Sequence, residues 1–183
     1  KTSEVTPENI LAGLTLNVIQ KARIAKTKLF YSDRDAFMTQ LAKEIRLTIA
    51  KAEKNGLIPV FRLNGTSDLR WETIPVAGYR NIMEMFPGVQ FYDYTKIPNR
   101  RNLPANYSLT FSLADGNDLQ ALGAMENGMN IAVVFRTLPD TFMGREVVNG
   151  DETDLRFLDP AGVIVGLKAK GKAKVDTTGF VRN

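Results

Sequence analysis

The segment Arg62-Leu63-Asn64-Gly65-Thr66-Ser67-Asp68 gathers a guanidinium, an amide, two hydroxyls and a carboxylate directly after the apolar run Leu57 to Leu63. Groups of these types hydrogen-bond and orient a polar ligand, and the carboxylate can also move a proton. Val89-Gln90-Phe91-Tyr92 opens in the same way into Asp93-Tyr94-Thr95-Lys96, a candidate acid/base set tuned by burial. A third, short strand is expected at Phe157-Leu158, which opens into Asp159-Pro160. Ser112 and Asp115 follow the run Tyr107 to Leu113, Arg136 follows Met129 to Phe135, and Lys168 and Lys170 follow Val163 to Leu167. If the runs are parallel strands, Arg62, Asn64, Thr66, Ser67, Asp68, Asp93, Tyr94, Lys96, Ser112, Asp159, Lys168 and Lys170 gather on one rim as the candidate ligand-binding set.

Each feature has a structural alternative. Asn64 to Asp68 are ordinary turn and helix-cap residues. Asp93 and Lys96 could form a salt bridge tying down a strand end. Arg62, if buried, needs a carboxylate or a ligand anion. Trp71, the only tryptophan, serves either as a stacking surface or as a lid on the core. Asp151, Glu152, Asp154 and Asp159 offer oxygens for Mg²⁺ or Ca²⁺, but their spacing departs from the calcium-loop template, and a solvated acidic turn is the competing reading. Gly166 to Lys172 is rich in glycine and lysine without the order of a phosphate loop.

Composition narrows the chemistry further. With no cysteine and no histidine among 183 residues, the sequence supplies no disulfide, thiolate nucleophile, iron–sulfur ligand or imidazole base. Any general acid or base must be Asp, Glu, Lys or Tyr. The net charge is +4 and the cations cluster. Lys21, Arg23, Lys26, Lys96, Arg100 and Arg101 form a candidate nucleic-acid set, with solvated faces as the alternative. No apolar run approaches the roughly 18 residues of a membrane span, so the expectation is a cytoplasmic protein without membrane partners.

The elements that must position these groups alternate. Thr6-Pro7-Glu8 reads as a helix start. Asn17 to Lys28 reads as an amphipathic helix whose apolar side is Val18, Ile19, Ala22 and Ala25. A longer helix opens at Ser32 or Asp33, carries the stripe Phe37, Leu41, Ile45, Ile49 widened by Met38, Ala42 and Ala52, and stops at Asn55-Gly56. Strands are expected at 57–63, 89–94, 107–113, 129–135, 146–148 and 163–167, with helices from Pro75 to Phe86 and from Asp115 to Met125. The pattern predicts one α/β domain over residues 1–183, with residues 1–30 as an N-terminal helical segment packing on it. Its expected core is an incomplete (β/α) barrel of about five to six mainly parallel strands, with an open doubly wound sheet as the alternative.

Six spaced blocks carry a family resemblance: Gln20 to Thr27, Arg62 to Asp68, Phe91 to Lys96, Asn106 to Ser112, Asp154 to Pro160 and Gly166 to Gly171. Together they resemble the gene-product-88 family of phage and plasmid proteins, over roughly residues 17 to 181. The resemblance implies a phage or plasmid origin, and hence the host cytoplasm as location. By analogy it also implies a layout like that of radical S-adenosylmethionine enzymes, with a strand-end loop near Asn64 to Asp68. Family members usually carry a cysteine-rich segment just before the first block, where this sequence reads Leu14-Thr15-Leu16-Asn17-Val18.

Two functions compete on this basis. One is a partial barrel that binds a nucleotide-like or S-adenosylmethionine-like ligand at its strand ends, possible cofactors being S-adenosylmethionine or Mg²⁺, as in a degenerate radical-enzyme relative. The other is a non-enzymatic protein that binds nucleic acid or a host factor.

Overall fold

A computed structural model describes residues 18–183. The helix start expected at Thr6-Pro7 lies outside the described residues. The chain divides into two compact units, with the boundary between Lys51 and Ala52.

The first unit is built from α1 (Val18–Ser32) and the start of α2 (Arg34–Lys54). Asp33 separates them, its Oδ1 accepting the amide hydrogen of Ala36 at 2.9 Å as an N-cap. Of the apolar stripe Ile45 is buried, along with Met38, Ala42 and Ala52 from its widened side, while Phe37, Leu41 and Ile49 are half-buried. The stripe expected on α1 is not buried: Val18 and Ile19 are exposed, and Phe30 is the residue that packs inside, edge-on to Phe37 at 5.3 Å. Large rings gain more from burial than scattered alanines do. At the end of α2, Leu57 bonds back to Ala52 and Gly56 to Glu53, with Gly56 at φ +65, the two-bond glycine stop that Asn55-Gly56 announces.

The second unit is organised on an eight-stranded, mostly parallel sheet that does not close. Its strands are β1 (Val60–Phe61), β2 (Gln90–Thr95), β3 (Tyr107–Ser112), β4 (Asn130–Phe135), β5 (Thr141–Phe142), β6 (Arg145–Asn149), β7 (Ile164–Lys168) and β8 (Val181–Arg182). The order is β1-β2-β3-β4-β7-β6-β5, and only β5 runs antiparallel to its neighbour. β4 pairs with β3 through Asn130 to Ala132 and with β8 through Val134 and Phe135. The strand ends that follow Thr95, Ser112, Phe135, Asn149 and Lys168 therefore lie on one edge.

Register sets the two faces. Phe91, Asp93 and Thr95 stand beside Tyr107, Leu109 and Phe111, which continue through Ile131, Val133 and Phe135, all of them buried. The other face carries Gln90, Tyr92 and Tyr94 beside Ser108, Thr110 and Ser112.

Three expectations fail for local reasons. Only Val60 and Phe61 of the run 57–63 pair with a neighbour. The helix expected from Pro75 shrinks to α3 (Ile82–Met85), because Ala77 and Gly78 both take positive φ and Val76 and Tyr79 exchange both backbone hydrogen bonds. The α3 start is legible afterwards: Asn81 Oδ1 accepts from the Glu84 amide, while Glu84 accepts from the Arg80 amide. Phe157-Leu158 is not a strand. Residues Arg156–Leu158 form a 3₁₀ turn that packs against β2 and β3, and Phe157 lies 5.7 Å from Tyr92. α4 (Asp118–Glu126), the helix expected from Asp115 to Met125, buries Ala121 and Ala124 and ends at Asn127-Gly128.

Candidate functional site

The loop after β1 is held from inside by Asn64. Its Oδ1 accepts from Ser67 Oγ (2.8 Å), the Leu69 amide (3.0 Å) and the Trp71 indole Nε1 (2.9 Å), and its Nδ2 donates to the Leu69 carbonyl. Asn64 is buried, so these bonds replace the water its amide has lost. Trp71 is buried as well, which decides for the core over a stacking surface.

Beneath the loop lies a buried polar cluster. Asp93, fully buried, accepts from the Asn64 amide at 2.7 Å and from Tyr107 Oη at 2.8 Å. Burial raises its pKa to about 6 against those two donors, and it raises Tyr107 as well, so the phenol stays protonated and donates. Arg100 is equally buried and forms a two-pronged pair with Glu72, its Nε 3.0 Å from Oε1 and its Nη2 against Oε2. Its Nη1 stands 3.6 Å from Asp68. Asp68 in turn accepts from Thr95 Oγ1 (2.8 Å) and the Lys96 amide (2.6 Å), fastening the β1 loop to the end of β2.

Above this foundation two cavities share a wall. The smaller, about 280 Å³, is lined by Arg62, Asn64 to Asp68, Tyr94, Thr95, Lys96 and Ser112. The larger, about 670 Å³, adds Val134, Asp154, Leu167, Lys170 and Phe180, among others, to the common residues Arg62, Tyr94 and Ser112. At the wall, Arg62 pairs with Asp154 at 3.0 Å and lies over the Tyr94 ring at 4.6 Å. Tyr92 and Tyr94 donate to the same carboxylate at 3.4 and 3.3 Å. Burial, then the Asp154 charge, raises Tyr92. Burial foremost pushes Tyr94 up to about 12, so both remain donors.

The structure thus brings Arg62, Asn64, Thr66, Ser67, Asp68, Tyr94, Lys96 and Ser112 to one cavity and Lys170 to its neighbour. Lys170 pairs with Asp151 at 2.8 Å, and the Lys168 amide donates to the other Asp151 oxygen. Asp93 lies under the loop and lines neither cavity, so the expected Asp93, Tyr94, Lys96 acid/base set is not assembled. Asp159 stands away from the rim. The 3₁₀ turn that replaces the expected strand pairs it with buried Arg156 at 3.4 Å, and the Pro160 carbonyl after it accepts from Asn130 at the opposite end of β4.

Of the cations considered for nucleic acid, Lys21, Arg23 and Lys26 are exposed on α1, and Lys26 faces Glu44 at 3.2 Å. Lys96 lines the smaller cavity, and Arg101 is exposed and bonds Asn127. Arg100 is shut inside with Glu72 and cannot reach a phosphate. No three acidic side chains are gathered as metal ligands among the described residues.

Asp154 is the site residue that sequence reasoning undervalued. It stood in the acidic turn, 92 positions from Arg62, with which it pairs although Arg62 is exposed. Glu72 and Tyr107, which complete the foundation, carry no spacing signal at all.

Among the described residues no helix is long and apolar enough to cross a membrane. Neither a curated protein nor a solved structure matches the chain. The model of the family described as gene product 88 matches residues 12–183, and the chain therefore belongs to the gene product 88 family.

Proposed function

We propose that the protein binds a nucleotide-like or S-adenosylmethionine-like ligand at the carboxyl ends of its parallel strands. One observation carries this reading: Arg62, Tyr94 and Ser112 are common to two cavities on the edge where parallel sheets place ligands. The preformed loop supports it, since Asn64 and Asp68 spend their hydrogen bonds on geometry and leave Thr66, Lys96 and Ser112 for a guest.

The neighbour order runs β1-β2-β3-β4 and then β7-β6-β5; the first four strands, in sequence order, are the part that supports a segment of a (β/α) barrel over a doubly wound sheet. The radical-enzyme-like layout rests on analogy through the family, and the family is likewise the basis for a phage- or plasmid-type protein acting in a host cytoplasm. The residues present offer no thiolate to hold an iron–sulfur cluster, so no step is assigned to one.

Calorimetric titration with S-adenosylmethionine and the common nucleotides tests the reading. Binding is expected with at least one of them, and Ser112→Trp, which fills the shared wall, is expected to abolish it. Absence of binding by every compound, or binding untouched by Ser112→Trp, would refute it.

A further inference from the structure

The two cavities differ in charge and in free hydrogen-bonding capacity, and the difference selects a ligand class. In the smaller one, both oxygens of Asp68, the one carboxylate on its wall, already accept hydrogen bonds. Its donors are mostly unspent. The ammonium of Lys96, the hydroxyls of Thr66 and Ser112, and the amides of Thr66, Ser67 and Asp68 have no partner among the described residues. Arg62 lends one nitrogen to Asp154 and keeps the rest of its fork. Successive amides from one turn, beside a lysine and hydroxyls, are suited to an oxyanion.

The larger cavity has the opposite character. Asp151, Glu152 and Asp154 line it, opposed by Arg62 and Lys170, together with the apolar groups of Val134, Leu167 and Phe180. Asp151 is satisfied by Lys170 and the Lys168 amide, whereas Glu152 receives only the Asn149 side-chain Nδ2, on Oε1 at 3.1 Å. An anion placed there meets like charge. A hydroxyl donor meets an acceptor, and a flat apolar ring meets Phe180.

Resting on the binding reading above, we infer that the ligand is a phosphate-bearing nucleoside: its phosphate sits in the smaller cavity against Lys96, Thr66 and Ser112, and its sugar hydroxyls and base lie in the larger one toward Glu152 and Phe180. S-adenosylmethionine fits this division less well, because its sulfonium and ammonium add positive charge where Lys96 and Arg62 already stand.

Calorimetric titrations with AMP, inorganic phosphate, adenosine and S-adenosylmethionine test the inference. AMP is expected to bind at least tenfold more tightly than adenosine or S-adenosylmethionine, with phosphate competing for its site. Lys96→Ala removes one charge-assisted contact and should weaken AMP about tenfold or more while leaving adenosine unchanged. Lys96 is exposed, so the fold should tolerate the change. Lys96→Glu should weaken AMP further. Binding of adenosine or S-adenosylmethionine as tight as that of AMP, or AMP binding indifferent to both Lys96 variants, would overturn this inference and leave the broader reading standing. Silence from all four compounds would overturn this inference, and silence from the remaining common nucleotides as well would overturn both.

Discussion

Asp93→Asn isolates the cost of a buried carboxylate. The rise of the Asp93 pKa from 3.8 to about 6 is worth about 3 kcal/mol at roughly 1.4 kcal/mol per pH unit. The sign follows from proton counts: between these values the folded protein holds a proton that the unfolded chain has released. Stability from this group is therefore complete below pH 3.8, is lost as pH rises through about 6, and stays lost above it. Asparagine has nothing to titrate. Its oxygen can still accept from the Asn64 amide, but its NH₂ then faces Tyr107 Oη, which must accept instead of donate; that offset does not vary with pH. The measurement is urea unfolding of both proteins at pH 4 to 7.5, followed through Trp71, the single tryptophan, buried and bonded to Asn64. The stability of the wild type relative to Asp93→Asn should fall by about 2.5 kcal/mol across that range, the remainder having gone below pH 4, and most of the fall should come before pH 6.5. Parallel profiles would show that the two donors outweigh desolvation and that the carboxylate is ionised throughout.

Two further substitutions test the packing. A Cβ at Gly166 meets Leu138 Cδ2 and Val147 Cγ1 at 2.7 Å each, so Gly166→Ala should destabilise by about 1 to 3 kcal/mol in the same assay without moving the pH profile. Arg100→Ala leaves Glu72, buried beside it, without its main counter-charge and should cost about 3 to 5 kcal/mol, whereas Arg101→Ala, next in sequence but exposed, should cost under about 0.5 kcal/mol. Equal effects at the two arginines would contradict the buried pair.

What the sequence disclosed follows from what sequence patterns measure. β2, β3 and β4 are apolar runs with turn residues at their ends, and α2 has both a stripe and a glycine stop, so burial wrote each of them into local spacing. β5 and β8 pair through two residues each and leave no period to read. Phe157-Leu158 is too short for period to distinguish a strand from a 3₁₀ turn, and the misreading carried Asp159 to the wrong end of the sheet. The polar loop after β1 was legible as a place, because turn formers follow a strand. Its inner workings were not, since Asn64, Trp71, Asp93, Arg100 and Tyr107 meet only through the fold. Arg100 and Arg101 are adjacent in sequence and opposite in environment, a difference that charge counting cannot see.

The common wall of the two cavities limits how the site can be remodelled. Arg62, Tyr94 and Ser112 form a partition, so an exchange at any of them reshapes both compartments at once. Lys96 and Phe180 each belong to one compartment alone. Engineering or divergence that retunes preference stepwise should therefore begin at those two positions and reach the partition last.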